Sequence, residues 1–138
     1  MIRKATPDDL VDVALLMQDF NKAVTGTSMP LEAYGETLEV LLDNGVIFVS
    51  DTDAGICGAI VGQVITNPFF GMQFLQEVAW YATDNSGMRL LTAFVQEAKD
   101  RELDSVYLTV LETAGDRVHN LLKRIGFDTV ERSYMMKL

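Results

Sequence analysis

The sequence predicts an α/β (α+β) fold: a single three-layer domain with a mixed, mostly antiparallel central sheet and helices on both faces. Three observations carry this expectation. Short β-branched runs alternate with amphipathic stretches in the order β-α-α-β-β-β-α-β-α-β. The runs Val46–Val49 and Ile56–Ile65 are separated by Asp51-Thr52-Asp53-Ala54-Gly55, which is hairpin chemistry and implies antiparallel pairing. The run Phe74–Ala82 is followed by a helical pattern and then by Ser105–Val110, a crossover that implies one parallel pair.

In chain order, Ile2–Ala5 reads as a short strand. Thr6-Pro7-Asp8-Asp9 starts a helix, with Thr6 as N-cap, Pro7 in the first turn and Asp9 reaching back as in a capping box. Leu10, Val13, Ala14, Met17 and Phe20 form its apolar face, and the helix is expected to end near Ala23. Pro30 opens a second helix bearing Leu31, Tyr34, Leu38, Leu41 and Leu42, which Asn44-Gly45 closes with Gly45 suited to a left-handed C′ position. Asn67-Pro68-Phe69-Phe70-Gly71 is a loop. Phe74–Ala82 lacks clean alternation, the pattern expected of a strand covered on both faces, with Glu77 as its ionisable residue. Thr83-Asp84-Asn85-Ser86-Gly87 supplies a turn, after which Met88, Leu91, Phe94, Val95 and Ala98 recur at helical spacing. Thr113–Asp116 can cap a last helix with Val118, Leu121, Leu122 and Ile125, ended by Gly126. Phe127–Leu138, including Ser133–Met136, is expected to close the chain as one or two strands.

A length of 138 residues suits one domain with a proper core, and neither a linker nor a repeat interrupts it. The net charge of −9, with no basic stripe, argues against binding nucleic acid through phosphate contacts. One cysteine, Cys57, excludes an internal disulfide and a multi-cysteine metal site, and one histidine, His119, excludes a histidine cluster, so no metal is expected. No apolar run approaches the roughly 20 residues of a membrane span. Basic residues near Met1 have no apolar region behind them, so a cytoplasmic protein is expected.

A strand feeding a helix through a short turn aims free N–H groups and the positive end of the helix dipole at whatever lies above the strand end. That makes the segment after Ala82 a place for an anion.

Four segments in this order resemble the GNAT superfamily of acyl-CoA-dependent N-acyltransferases, across essentially the whole chain. They are MIRKATPDDLVDVALLM, LQEVAWYAT, GMRLLTAFVQEAK and LLKRIGFDTVERSYMMKL; Asn67–Phe70 and the closing ERSYMMKL look like small phage-encoded members. The resemblance implies transfer of acetyl from acetyl-CoA to a primary amine on a small molecule or protein, by direct attack. It implies Glu77 as the base that takes the amine's proton, with Tyr134 a candidate acid or substrate contact. Backbone groups of Tyr81, Ala82 and Thr83 would face the pantetheine arm, and Asn85, Ser86, Gly87, Met88 and Arg89 would surround the pyrophosphate. Phe69 and Phe70 could wall an acceptor site or cover the sheet edge. A strand at Ser133–Leu138 is a common means of pairing protomers into a homodimer.

The sequence departs from the family where chemistry is done. The pyrophosphate loop is several residues short of the pattern Q/R-x-x-G-x-G/A, its Arg or Gln has no counterpart, and Asn85 stands for a glycine. Asp84 adds a negative charge beside the phosphates, and Leu122 stands where a general-acid Tyr is often found. The alternative expectation is therefore a catalytically inactive GNAT-fold protein that acts as a binding or structural partner.

Overall fold

A computed structural model describes residues 1–138 as two compact units, Met1–Leu108 and Thr109–Leu138. The first unit holds β1 (Ile2–Lys4), α1 (Leu10–Thr25), α2 (Leu31–Asn44), β2 (Gly45–Thr52), β3 (Gly55–Thr66), β4 (Gln73–Ala82), α3 (Gly87–Asp100) and β5 (Ser105–Tyr107). The five strands form one sheet in the order β1-β2-β3-β4-β5, antiparallel throughout except for the parallel β4–β5 pair. The expected crossover and hairpin are thus both present.

The start of α1 follows its local sequence. The Thr6 N–H donates to the Asp9 carboxylate at 2.7 Å, the reciprocal half of a capping box, and a 3₁₀ turn over Pro7–Asp9 leads into the helix. Arg3 on β1 donates to both Asp9 oxygens and to Asp51 on β2, which fixes the helix start against the sheet edge. The helix runs to Thr25, two residues past its expected end, because Gly26 takes the left-handed C-cap conformation.

Two half-cores follow from strand alternation. Ala59 and Val61 of β3 join Ile47 and Val49 in a buried cluster with Leu10, Val13, Met17, Leu38 and Leu41 from α1 and α2. The intervening β3 residues face α3, where Ile60, Leu75, Leu90, Leu91 and Phe94 are almost fully buried. Between Gly58 and Gly62, β3 residues therefore alternate between one helical layer and the other.

Gly45 differs from expectation. Its φ of −129° is not left-handed, and it belongs to β2. A Cβ there would lie 2.2 Å from the Gly62 carbonyl oxygen and 2.9 Å from that of Leu41. Lack of room, not backbone handedness, makes this residue glycine.

Coverage of β4 also differs. Its C-terminal half is only half-buried and Val78 is 47% exposed. The reason is that β5 pairs only with Phe74–Gln76. The crossover strand is short, ending at Tyr107 and not at Val110.

In the second unit a 3₁₀ turn at Glu112–Ala114 precedes α4 (Asp116–Arg124), where Gly115 adopts a φ of +85°. Residues 127–138 form no strand, and Val130, Tyr134, Met135, Met136 and Leu138 are exposed. The expected closing strand is thus the element of the series that does not form. A run of β-forming residues becomes a strand only when another strand supplies ladder partners, and no strand forms in this unit.

Gly62 is the tightest point between sheet and helix, since a Cβ there would sit 2.4 Å from the Phe94 ring and 3.0 Å from the Gln76 carbonyl oxygen. Overpacking a filled core costs about 1–3 kcal/mol. Gly62→Ala should therefore lower the urea midpoint by that equivalent, and Phe94→Leu should restore part of the loss in the double variant.

Candidate functional site

The junction of β4 and α3 is built from three sequence features: a bulge, a serine-held carboxylate and a helix start. The β3–β4 register steps from Val61 opposite Ala79 to Gly62 opposite Glu77, which leaves Val78 as an extra residue in β4. A bulge of this kind bends and twists its strand. It falls two residues past Gln76, the last β4 residue paired with β5. From Val78 to Ala82, β3 is the one strand laddered with β4. The sheet is therefore open along that edge, and Glu77, buried in spite of its charge, stands where the opening begins.

The turn after β4 is organised by Asp84. The Ser86 hydroxyl and the Ser86 N–H both donate to one oxygen of its carboxylate, and the fully buried Ser50 of β2 donates to the other at 3.1 Å. These donors, the Ser86 hydroxyl foremost, hold the Asp84 carboxyl below the usual carboxylate range against the opposing effect of burial; the charge of Arg89 adds to them. Room for this set comes from Gly58, since a Cβ there would meet Ser86 Oγ at 2.8 Å and Leu90 Cδ1 at 3.1 Å.

The first helical bond of α3 runs from the Leu90 N–H to the Ser86 carbonyl, so the amides of Gly87, Met88 and Arg89 precede it. They form the positive end of a 14-residue helix. The Trp80 indole N–H donates to the Gly87 carbonyl at 3.1 Å, which binds the strand to the first residue of the helix. At its other end α3 is anchored by Glu97, which accepts from Lys4 and Arg101 at 2.8 Å each, while Arg101 also reaches the Gly45 carbonyl. Burial opposes ionisation of Glu97, but the two cations together outweigh it and its carboxyl lies below the ordinary range.

The expected site residues separate into two groups. Glu77, Ala82, Thr83, Asn85, Ser86, Gly87, Met88 and Arg89 all lie along the open end of β4 and the start of α3. Within this group the Ser86 N–H is engaged by Asp84 and the Thr83 N–H by the Cys57 carbonyl at 2.8 Å. The Tyr81 ring packs on Phe20 of α1 at 5.4 Å, in the core layer opposite α3. Phe69 and Phe70 stand 91% and 76% exposed on the β3–β4 loop, their N–H groups donating to the Asn67 side chain. Tyr134 belongs to the second unit and is 87% exposed in a segment without regular structure. Ser50, Gly58 and the Val78 bulge were not singled out by sequence reasoning. Gly58 and Gly62 inside an apolar strand were the available signal, because an isolated strand glycine marks a bulge or a close approach.

With this geometry in hand, comparison with solved structures identifies the fold. The chain superposes on a probable acetyltransferase with a TM-score of 0.81 at 16% identity, covering 100% of this chain and 97% of that one. It is similar to the ribosomal-protein-alanine N-acetyltransferase of Brucella melitensis biovar Abortus 2308, with a TM-score of 0.75, 16% identity and 100% and 99% coverage. It is also similar to a transcriptional regulator from Bacillus halodurans C-125, with a TM-score of 0.79 at 16% identity and the same coverage. No protein-family model matches the chain, and no curated protein matches it in sequence. The fold is that of GNAT-type acetyltransferases. No helix is long and apolar enough to cross a membrane.

A carboxyl whose folded pKa is depressed contributes stability above its unfolded value, near 4, and loses that contribution as pH falls through the folded one. Asp84 and Glu97 both act in this direction, as does Asp9, which Arg3 holds far down. The urea midpoint should therefore be level from about pH 7 to 5 and fall below about pH 4. Asp84→Asn should lower the midpoint at pH 7 and reduce its dependence on acid.

Proposed function

We propose that the chain is a GNAT-type N-acetyltransferase that moves acetyl from acetyl-CoA to a primary amine by direct attack. The observation that supports this best is the opening of the sheet at Val78, with a buried carboxylate at its mouth and a helix start above it. Acetyl-CoA supplies a thioester: the C–N bond forms on its carbonyl carbon as the C–S bond breaks. The chain's residues do the rest. Glu77 accepts the proton of the attacking amine, because an ammonium has no lone pair to attack with. The open edge of β4 offers main-chain groups to an extended pantetheine arm, as an added strand would. The amides of Gly87, Met88 and Arg89 donate to the pyrophosphate, a use to which helix N-termini are suited. Phe69 and Phe70 flank the route for the amine. The acidic surface favours a cationic acceptor.

One observation favours a second reading. The Asp84 carboxylate already receives the Ser86 N–H and two hydroxyls just before α3, so the protein carries its own anion near the phosphate position. A GNAT fold in which that carboxylate has replaced the cofactor's phosphate would be a binding or structural protein without transferase activity.

Thermal unfolding with acetyl-CoA separates the readings. A ligand at 100 times its Kd adds about 2.7 kcal/mol, so the enzyme reading expects a Tm rise of several degrees. No rise at millimolar acetyl-CoA would overturn it. With turnover established on an amine panel, Glu77→Gln should reduce kcat roughly 10²-fold or more while the Tm shift with acetyl-CoA persists; an unchanged kcat removes Glu77 from the proton transfer. Asp84→Asn should tighten acetyl-CoA binding under either reading. A shift seen only in that variant would identify Asp84 as an internal occupant of the site.

A further inference from the structure

The pair α1 and α2 carries a second feature, remote in sequence from the β4–α3 junction. A groove of about 580 Å³ runs between the two helices. Its apolar floor is made by Leu10 and Ala14 of α1 with Leu31 and Leu42 of α2, and Glu32, Glu39 and Asp43 stand along its rim. Between Asp8 and Asp43 the chain has eight carboxylates and one basic residue, Lys22. Asp9 is paired with Arg3; none of the other seven is in an ion pair.

Gly35 lies in the middle of this floor and in the middle of α2. A glycine inside a helix is destabilising relative to alanine, because it has more backbone freedom to lose on folding. At Gly58 and Gly62 the structure compels that choice through close contacts; at Gly35 it does not, since a Cβ built there meets nothing within 4 Å. The missing side chain deepens the groove and has no other effect on the packing of the chain itself.

We propose that this groove docks a cationic amphipathic helix of a partner protein. The occupant's class follows from shape and charge. The stripe Leu31–Gly35–Glu39–Leu42 follows the i, i+4, i+8, i+11 ridge of α2, about three turns or 16 Å long, which is the length over which a packed helix presents three apolar anchors. Apolar anchors seat in the floor where Gly35 leaves room, and Lys or Arg on the flanks of the docked helix meet Glu32, Glu39 and Asp43. The proposal does not depend on acetyl transfer.

The probe is a fluorescent helical peptide of about 18 residues, five turns, with Leu on one face and Lys on the other. Controls are its Leu/Glu counterpart and a scrambled Leu/Lys sequence. Anisotropy should show binding of the Leu/Lys helix alone, weakening as salt is raised from about 0.05 to 0.2 M because the rim charges are screened. Gly35→Leu leaves the net charge unchanged but fills the floor, and should weaken binding at least ~10-fold with no fall in Tm. Gly35→Ala, the better helix former, should fold at least as well and weaken binding by a smaller factor. Glu32→Gln with Glu39→Gln should weaken binding and flatten its salt dependence. Equal affinity of the wild type and Gly35→Leu, or equal binding of the scrambled peptide, would overturn the proposal by showing diffuse attraction to an acidic surface. Sedimentation that finds the wild type dimeric and Gly35→Leu monomeric would overturn it in favour of a second copy as occupant.

Discussion

The close seating of α3 on β3 is the constraint from which the rest of the first unit follows. Two glycines permit it. Gly62 receives the Phe94 ring and Gly58 receives Ser86 and Leu90, so the helix meets bare backbone at two points along β3. Protein interiors are packed densely enough that a methyl group at either point would displace the helix. With the helix that close, its first turn arrives beside the end of β4, its last turn brings Glu97 between Lys4 and Arg101, and Ser50 of β2 comes within reach of Asp84. Gly62 is also the residue opposite Glu77 in the ladder, one step from the extra residue Val78. The packing that holds the helix and the irregularity that opens the sheet are thus neighbours.

The helix start at the junction already has a carboxylate beside it. Helix starts attract negative charge, and this chain provides one of its own in Asp84. Its carboxylate is retained by specific donors and not by proximity to the dipole alone, which is why its pKa is depressed despite burial. A charge so firmly held repels a second anion at short range. The same turn therefore sets a held carboxylate beside the amides of Gly87, Met88 and Arg89, which precede the first helical bond of α3.

Glycine has three distinct meanings in this chain, separable only by what surrounds each one. Gly26 and Gly115 supply left-handed or otherwise positive φ. Gly45, Gly58 and Gly62 supply absence of volume where backbone or side chains approach. Gly35 supplies absence of volume toward solvent, between apolar side chains and carboxylates. The first two uses stabilise the fold; the third opposes helix stability.

Much was determined by local sequence. Thr6 to Asp9 dictates a helix start through bonds spanning three residues, the Asp51–Gly55 turn dictates a hairpin, and the apolar period of Met88–Ala98 dictates a helix that buries Leu91, Phe94 and Ala98. Such features rest on neighbours a few positions apart, so the order of elements up to α4 and the place of Glu77 inside β4 were legible. Pairings between distant segments were not. The end of β5 at Tyr107, the extra residue at Val78, the seating of Asp84 on Ser50 and the strandless run from 127 to 138 depend on which segments meet, as does the role of Gly45. A strand's length is decided by its partner, and a glycine's purpose by the atoms that approach it. Neither is encoded within the segment itself.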